Sequence, residues 1–173
     1  MNETLKTLKE RRSIRKYKKE QISEEQLKLI LEAGTYAPTG MGAQSPIMVV
    51  VQDSQTIKEL SKMNAEVMGT TSDPFYGAPT VIVVLADKSK RSTYVEDGSL
   101  VMGNLMNAAH SLGVDSCWIH RAKEVFESEK GQDLLKKWGV EGDYVGIGHC
   151  ILGYRDCEYP EAKPRKKGYI VRV

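Results

Sequence analysis

The chain has 173 residues, the length of one domain, and 25 basic against 23 acidic residues leave a formal net charge of +2, too small to argue for a nucleic-acid partner. With 40% hydrophobic and 28% charged residues the composition is that of an ordinary globular protein, able to bury roughly 70% of its unfolded surface without disulfide or metal staples. Apolar stretches such as 81–86 are far shorter than the ~20 residues of a membrane span, MNETLKTLKERR lacks a signal core, and Cys117, Cys150 and Cys157 are odd in number and far apart, so a cytoplasmic protein with reduced thiols is expected.

In chain order, residues 2–12 carry Leu5 and Leu8 on one helical face and feed a basic loop over 13–19. Ser23 followed by Glu24, Glu25 and Gln26 has the form of a capping box, and the stripe Leu27, Ile30, Leu31 predicts a helix ending at Gly34. Two prolines and two glycines make 37–46 a loop. A buried strand is predicted over 47–51, a helix over 54–68 with Ile57, Leu60 and Val67 inward, and a long connection over 69–79. Next come a strand over 81–85, a long helix over 95–112 closed by Gly113, a short strand over 116–119, one amphipathic helix over 123–138, and a glycine-interrupted strand over 144–154. The tail from Lys163 to Val173 reads as extended. Alternating strands and helices without repeats predict a sheet layered with helices in a single domain spanning 1–173.

Several chemistries are argued against. Gly98 and Gly103 have phosphate-loop spacing, but Asn104 stands where the lysine is required. Gly146 and Gly148 begin a G-x-G whose third glycine position holds Ile151. Cys117, His120, His149 and Cys150 offer four zinc-type ligands, yet their spacing matches no common site and the strands around them are apolar, so no metal is expected. No G-x-S-x-G elbow is present. What remains is a pair of basic clusters. Arg11, Arg12, Ser13, Arg15 and Lys16 combine guanidinium forks with a hydroxyl, and Lys163, Pro164, Arg165 and Lys166 form a second group. Together they suit the oxygens of one phosphate.

These residues, in this order, resemble the nitroreductase family of FMN-dependent oxidoreductases. The resemblance is carried by RRSIRKY, the loop APTGMGAQSP, the segment APTVIVV, the stretch EDGSLVMGNLMNAAHSLGVDSCWI, the GYRD turn and the tail KPRKK, which together cover nearly the whole chain. It implies an α+β fold: a three-layer α/β/α sandwich around a mixed, largely antiparallel sheet, with the C-terminal tail exchanged in a homodimer. It further implies FMN as cofactor, NADH or NADPH as electron donor, and ping-pong hydride transfer through flavin N5 to a nitroaromatic, quinone or similar small acceptor. By the same resemblance Arg11, Arg12, Ser13 and Arg15 bind the flavin phosphate and pyrimidine edge, and Lys163 and Arg165 complete the phosphate clamp. Pro38, Thr39, Gly40 and Gln44 reach the flavin of the neighbouring subunit, and Asn64 hydrogen-bonds the isoalloxazine ring. Ile119, His120 and Arg121 present their backbone to N5. No side chain is assigned a catalytic role; the His120 backbone supports N5. The loop departs from the family pattern at Gly42 and at Ser45-Pro46, and His120 and Arg121 replace smaller or acidic residues.

Two other readings are open to the residues. A non-catalytic or specialised flavin-binding protein of the same fold would keep every one of these contacts. A basic nucleic-acid module would use Arg11, Arg12 and the tail with stacking from Tyr17 and Tyr169. The flavin reading expects no nucleic acid and no membrane partner.

Overall fold

The computed structural model describes residues 1–173. Helix α1 (Glu3–Glu10) starts where Asn2 Oδ1 accepts the Leu5 N–H at 2.9 Å, and buries no side chain. Helix α2 (Glu24–Thr35) opens on the expected capping box, with the Ser23 hydroxyl accepting from Gln26 N–H at 3.1 Å and Gln26 Oε1 accepting from Ser23 N–H at 3.0 Å. Gly34, read from the sequence as the stop, lies inside the helix. A β-carbon there would meet Met48 Sδ at 2.7 Å and Leu105 Cδ2 at 2.9 Å, so the glycine is a packing residue.

Strand β1 (Pro46–Val51) leads through the Asp53 N-cap into α3 (Ser54–Met68), which closes on Gly69 at φ 73°. Strand β2 (Thr80–Asp87), α4 (Tyr94–Ser111) and β3 (Asp115–Ile119) follow. Two short helices, α5 (Ala122–Glu127) and α6 (Glu129–Lys137), then lead to β4 (Tyr144–Gly153). The single helix expected over 123–138 is therefore two. Ser128 takes an extended conformation at ψ 156° and caps α6 by accepting the Gly131 N–H at 3.1 Å. A β-carbon at Gly131 would collide with the Val125 carbonyl, so the turn between the helices depends on that glycine.

The four strands form an antiparallel sheet in the order β1-β2-β4-β3, and the one parallel pairing is the isolated bridge between Ser13 and Ser116. β2 and β4 are central and covered on both faces, which is why they read as nearly continuous apolar runs. One face carries Leu60, Phe75, Val83, Leu85, Phe126 and Leu134 beneath α3, α5 and α6; the other carries Ile30, Ile82, Val84, Leu105, Ile147 and Leu152 beneath α2 and α4. The layers are thus helix, sheet, helix, as expected. β4 slips its register between Val84 and Leu85, leaving Ile147 as the extra residue. Gly146 and Gly148 flank that bulge because a β-carbon would strike the Ala122 carbonyl at the first and Trp118 Nε1, at 2.7 Å, at the second. Val67, expected inward, is exposed, and the residues after Tyr159 are exposed throughout. No helix is long and apolar enough to cross a membrane.

Candidate functional site

The segment after α1 is pinned across the ends of β3 and β4. Ile14 N–H donates to the Ser116 carbonyl at 3.1 Å, Lys18 N–H to the Tyr154 carbonyl at 2.8 Å, and Asp156 N–H to the Lys16 carbonyl at 3.0 Å. Ile14 and Tyr17 are buried, and the Tyr17 hydroxyl donates to the Ile14 carbonyl at 2.8 Å. Buried residues at 14 and 17 leave Arg15 exposed and hold Ser13 beside Ser116. Three buried polar atoms here have no partner: Arg11 Nη1, Arg12 Nε and Ser116 Oγ. Buried donors left unpaired are costly, the more so when charged, so this corner is built for an acceptor from outside the chain. An anion with several oxygens fits it. Arg12 is only partly available, because its Nη1 donates to the carbonyls of Lys9 at 2.8 Å and Arg11 at 2.7 Å and so caps the C-terminal end of α1.

At the opposite end of β3, Ile119 is buried, His120 is exposed, and Arg121 enters α5 at φ 71°. A non-glycine residue in that conformation costs on the order of 1 kcal/mol and persists only where its surroundings hold it. Asn64 does the holding: its Nδ2 donates to the His120 carbonyl at 2.7 Å and its Oδ1 accepts from Arg121 Nε at 3.1 Å. Asn64 is wholly buried, and these two contacts hold the 120–121 turn.

Beneath the turn lies His149, fully buried between Phe75, at 5.1 Å between ring centroids, and Phe126, at 6.0 Å. Neither ring nitrogen makes a hydrogen bond. Burial pulls its pKa from 6.5 down to about 4, against a weaker opposing pull from the Ile119 and His120 carbonyls, so the ring is neutral at pH 7. Burial likewise pushes the Cys150 thiol up to about 12 and raises that of Cys117. Both cysteines are therefore protonated core residues.

The loop after α2 contains a short 3-10 turn, Gly40–Gly42, and holds three residues at positive φ: Met41 at 55°, Gly42 at 66° and Gln44 at 49°. Inside the loop, Gln44 N–H donates to Thr39 Oγ1 at 3.0 Å. Its two ends are tied to α4 through Asp97, which accepts from Gly40 N–H at 2.9 Å and from the Ser45 hydroxyl at 3.1 Å. Pro38, Met41 and Gln44 point into solvent. Sequence reasoning missed Asp97. The available signal was an acid inside the apolar stripe of Gly98, Val101, Met102 and Leu105.

Lys163 and Arg165 are not brought to the N-terminal cluster within one chain. Both are exposed, and the Arg165 guanidinium turns back on the Lys163 carbonyl at 2.6 Å. The start of the tail is nonetheless anchored near Arg11 and Arg12. The Tyr159 hydroxyl donates to the Glu10 carbonyl at 2.9 Å, and Arg155 lies 5.0 Å over the Tyr159 ring while pairing with Asp115 at 3.2 Å. A cleft of about 890 Å³ runs between α3 and residues 70–79 and includes none of the expected site residues. Of those residues Asn64 and Ile119 are buried, and Arg15, Pro38, Gln44, His120, Lys163 and Arg165 are exposed.

The sequence profile described as "Nitroreductase family" matches residues 8–74 and 65–154. The chain is 32% identical over 159 residues to an Archaeoglobus fulgidus protein named "Putative NADH dehydrogenase/NAD(P)H nitroreductase", covering 89% of this chain and 86% of the relative. A crystal structure of a nitroreductase with bound FMN from Bacteroides fragilis superposes with a TM-score of 0.91 at 30% identity, over 100% of both chains. Another, from Desulfitobacterium hafniense and also with bound FMN, gives 0.89 at 29% identity over 100% of this chain and 99% of the other.

Proposed function

The chain belongs to the nitroreductase family, and on that premise we propose that it is a homodimeric FMN-dependent oxidoreductase that takes electrons from NADH or NADPH and passes them to nitroaromatic, quinone or similar small acceptors. The observation that carries the cofactor assignment is the corner at Arg11, Arg12, Ser13 and Ser116, with its three buried polar atoms lacking an acceptor. A terminal phosphate supplies the missing charge and oxygens. Arg15, exposed on the same segment, would serve the pyrimidine edge, and Lys163 and Arg165 would close on the phosphate from the tail.

Bound FMN supplies the hydride chemistry at N5, so the protein's task is to bind and orient it. The backbone of Ile119, His120 and Arg121 would face N5, and Asn64 holds that backbone in its positive-φ turn. Asn64 binds the His120 carbonyl and not its N–H, so the His120 N–H would be left for the ring. No acidic side chain is required, because a face open enough to admit two reactants in turn also admits water.

Two features support a dimer with exchanged tails. β1 is an edge strand of sequence PIMVVV with partly exposed side chains, and an apolar edge of this kind is a site for added strand. Residues 169–173, YIVRV, are strand-like in pattern and wholly exposed in the single chain. A partner's tail on that edge would bury both, and the second chain's Pro38, Thr39, Gly40 and Gln44 would complete each flavin site. The cofactor assignment is tested by denaturing the purified protein and chromatographing what is released. FMN is expected; FAD, or no flavin even after reconstitution, overturns the reading.

A further inference from the structure

We propose that Asp97 is a positioning residue that sets the 39–45 loop and, through it, the wall that each chain lends to its partner's flavin site; the inference rests on the reading above. Asp97 is 3% exposed, in the first turn of α4. An acid at that place ordinarily complements the helix N-terminus. Here its carboxylate turns to the loop: Oδ1 accepts from Gly40 N–H at 2.9 Å, and Oδ2 accepts from the Ser45 hydroxyl at 3.1 Å and the Thr93 hydroxyl at 3.4 Å. Gly40 and Ser45 bracket the three residues at positive φ, so one carboxylate holds both ends of the strained stretch. The backbone sits flush on α4, since a β-carbon at Gly40 would collide with the Thr93 hydroxyl.

The far side of the loop is presented outward. Met41 is 87% exposed, and Pro38 and Gln44 are exposed beside it. Two non-glycine residues at positive φ on an exposed loop would relax to ordinary turns if nothing fixed the ends. The buried end of the loop carries the fixing contacts and its exposed end carries the residues offered to the partner. Asp97 therefore acts on the site without touching the cofactor. All three of its donors are neutral, so an asparagine of the same shape keeps the Gly40 contact through Oδ1, and the two hydroxyls can rotate to accept from Nδ2.

The test separates loop order from cofactor binding. In cofactor-free dimer, limited proteolysis within 39–45 should be at least tenfold faster in Asp97→Ala than in the parent chain, with Asp97→Asn within threefold of the parent. In reconstituted dimer, Asp97→Ala should bind FMN about tenfold more weakly and alter the visible circular dichroism of the flavin, again with rescue by Asp97→Asn. Unchanged proteolysis and unchanged FMN affinity in Asp97→Ala overturn the inference. If Asp97→Ala does not fold, Ser45→Ala interrogates the same contact: cleavage at least threefold faster is expected, and unchanged cleavage overturns it. Action across the interface is read in a dual-tagged heterodimer of an Asp97→Ala chain with an Arg11→Ala, Ser13→Ala chain. One FMN per dimer at parental affinity is expected, because one site then receives an intact phosphate corner and an intact loop; recovery of no such site overturns action in trans. A parent chain that binds no FMN, or an Arg11→Ala, Ser13→Ala homodimer that binds it as tightly as the parent, defeats the functional reading itself, whatever Asp97 does.

Discussion

Acid should weaken this protein through one residue that makes no hydrogen bond. The folded-state pKa of His149 is lowered from 6.5 to about 4 by complete burial between Phe75 and Phe126. The unfolded chain takes up the proton more readily, so the stability associated with a neutral His149 is fully present above 6.5 and is lost as pH falls from 6.5 towards 4. From those two pKa values the loss through His149 is about 2 kcal/mol at about pH 5 and levels off near about 3 kcal/mol below pH 4. For a chain of this length, about 2 kcal/mol corresponds to a fall in Tm of roughly 4–8 °C. The control is His149→Leu, which removes the titrating group at nearly constant volume. Because both ring nitrogens lack partners, no hydrogen bond is lost, and stability at about pH 8 should stay within about 1 kcal/mol of the parent. Urea unfolding at fixed protein concentration, followed by tryptophan fluorescence at about pH 8 and about pH 5, should show the parent losing about 2 kcal/mol more than His149→Leu. Asp53 and Asp87, whose carboxyls are held down by the Thr56 and Ser89 hydroxyls, lose their contributions only as pH falls through the carboxylate range, and they are common to both chains. Equal losses in parent and variant would refute the argument.

Three further outcomes are expected. Arg11→Ala should weaken FMN by about 10- to 100-fold, the equivalent of one charge-assisted hydrogen bond at about 1.5–3 kcal/mol, as read by fluorescence titration of the cofactor-free protein; an unchanged Kd would show that the orphaned guanidinium does not meet the phosphate. Asn64→Ala should cost about 1–3 kcal/mol in thermal or urea unfolding, since it removes two part-buried hydrogen bonds at the 120–121 turn, and a loss under about 0.5 kcal/mol would dismiss that role. His120→Ala should keep FMN and change turnover by less than about tenfold, whereas a general acid contributes about 10²–10⁴; a hundredfold loss in folded, FMN-loaded dimer would make the side chain catalytic. His120→Pro, which removes the N–H, should be far more damaging to flavin binding or reduction.

Where local chemistry decides structure, these residues could be read in advance. Helix α2 announces itself through Ser23 with Gln26, a contact within three residues, and α3 through the spacing of Ile57 and Leu60. The break between α5 and α6 could not be read, because the amphipathic pattern runs on through Ser128 and the turn depends on Gly131 meeting the Val125 backbone. Gly34 misled for the same reason: a packing glycine and a helix-ending glycine are identical in sequence. The cluster of Arg11, Arg12, Ser13 and Arg15 could be picked out as an anion-binding candidate because its guanidinium and hydroxyl groups lie close together in the chain. The commitment of Asn64 to His120, 56 residues away, was not legible. Asp97 was hidden by its place in the first turn of α4, where an acid satisfies a local rule whatever else it holds. Lys163 and Arg165 stood out as a second basic cluster, and in the single chain they meet neither Arg11 nor Ser13.

The central claim, that this chain is a flavin reductase, is tested most directly by an absorbance spectrum of the FMN-reconstituted dimer before and after anaerobic addition of NADH or NADPH. Bleaching of the bound flavin's visible bands by at least one of the two, reversed on adding a quinone, is the predicted result. Bound flavin that stays oxidised with both nucleotides would contradict the account and leave a flavin-binding protein without reductase activity.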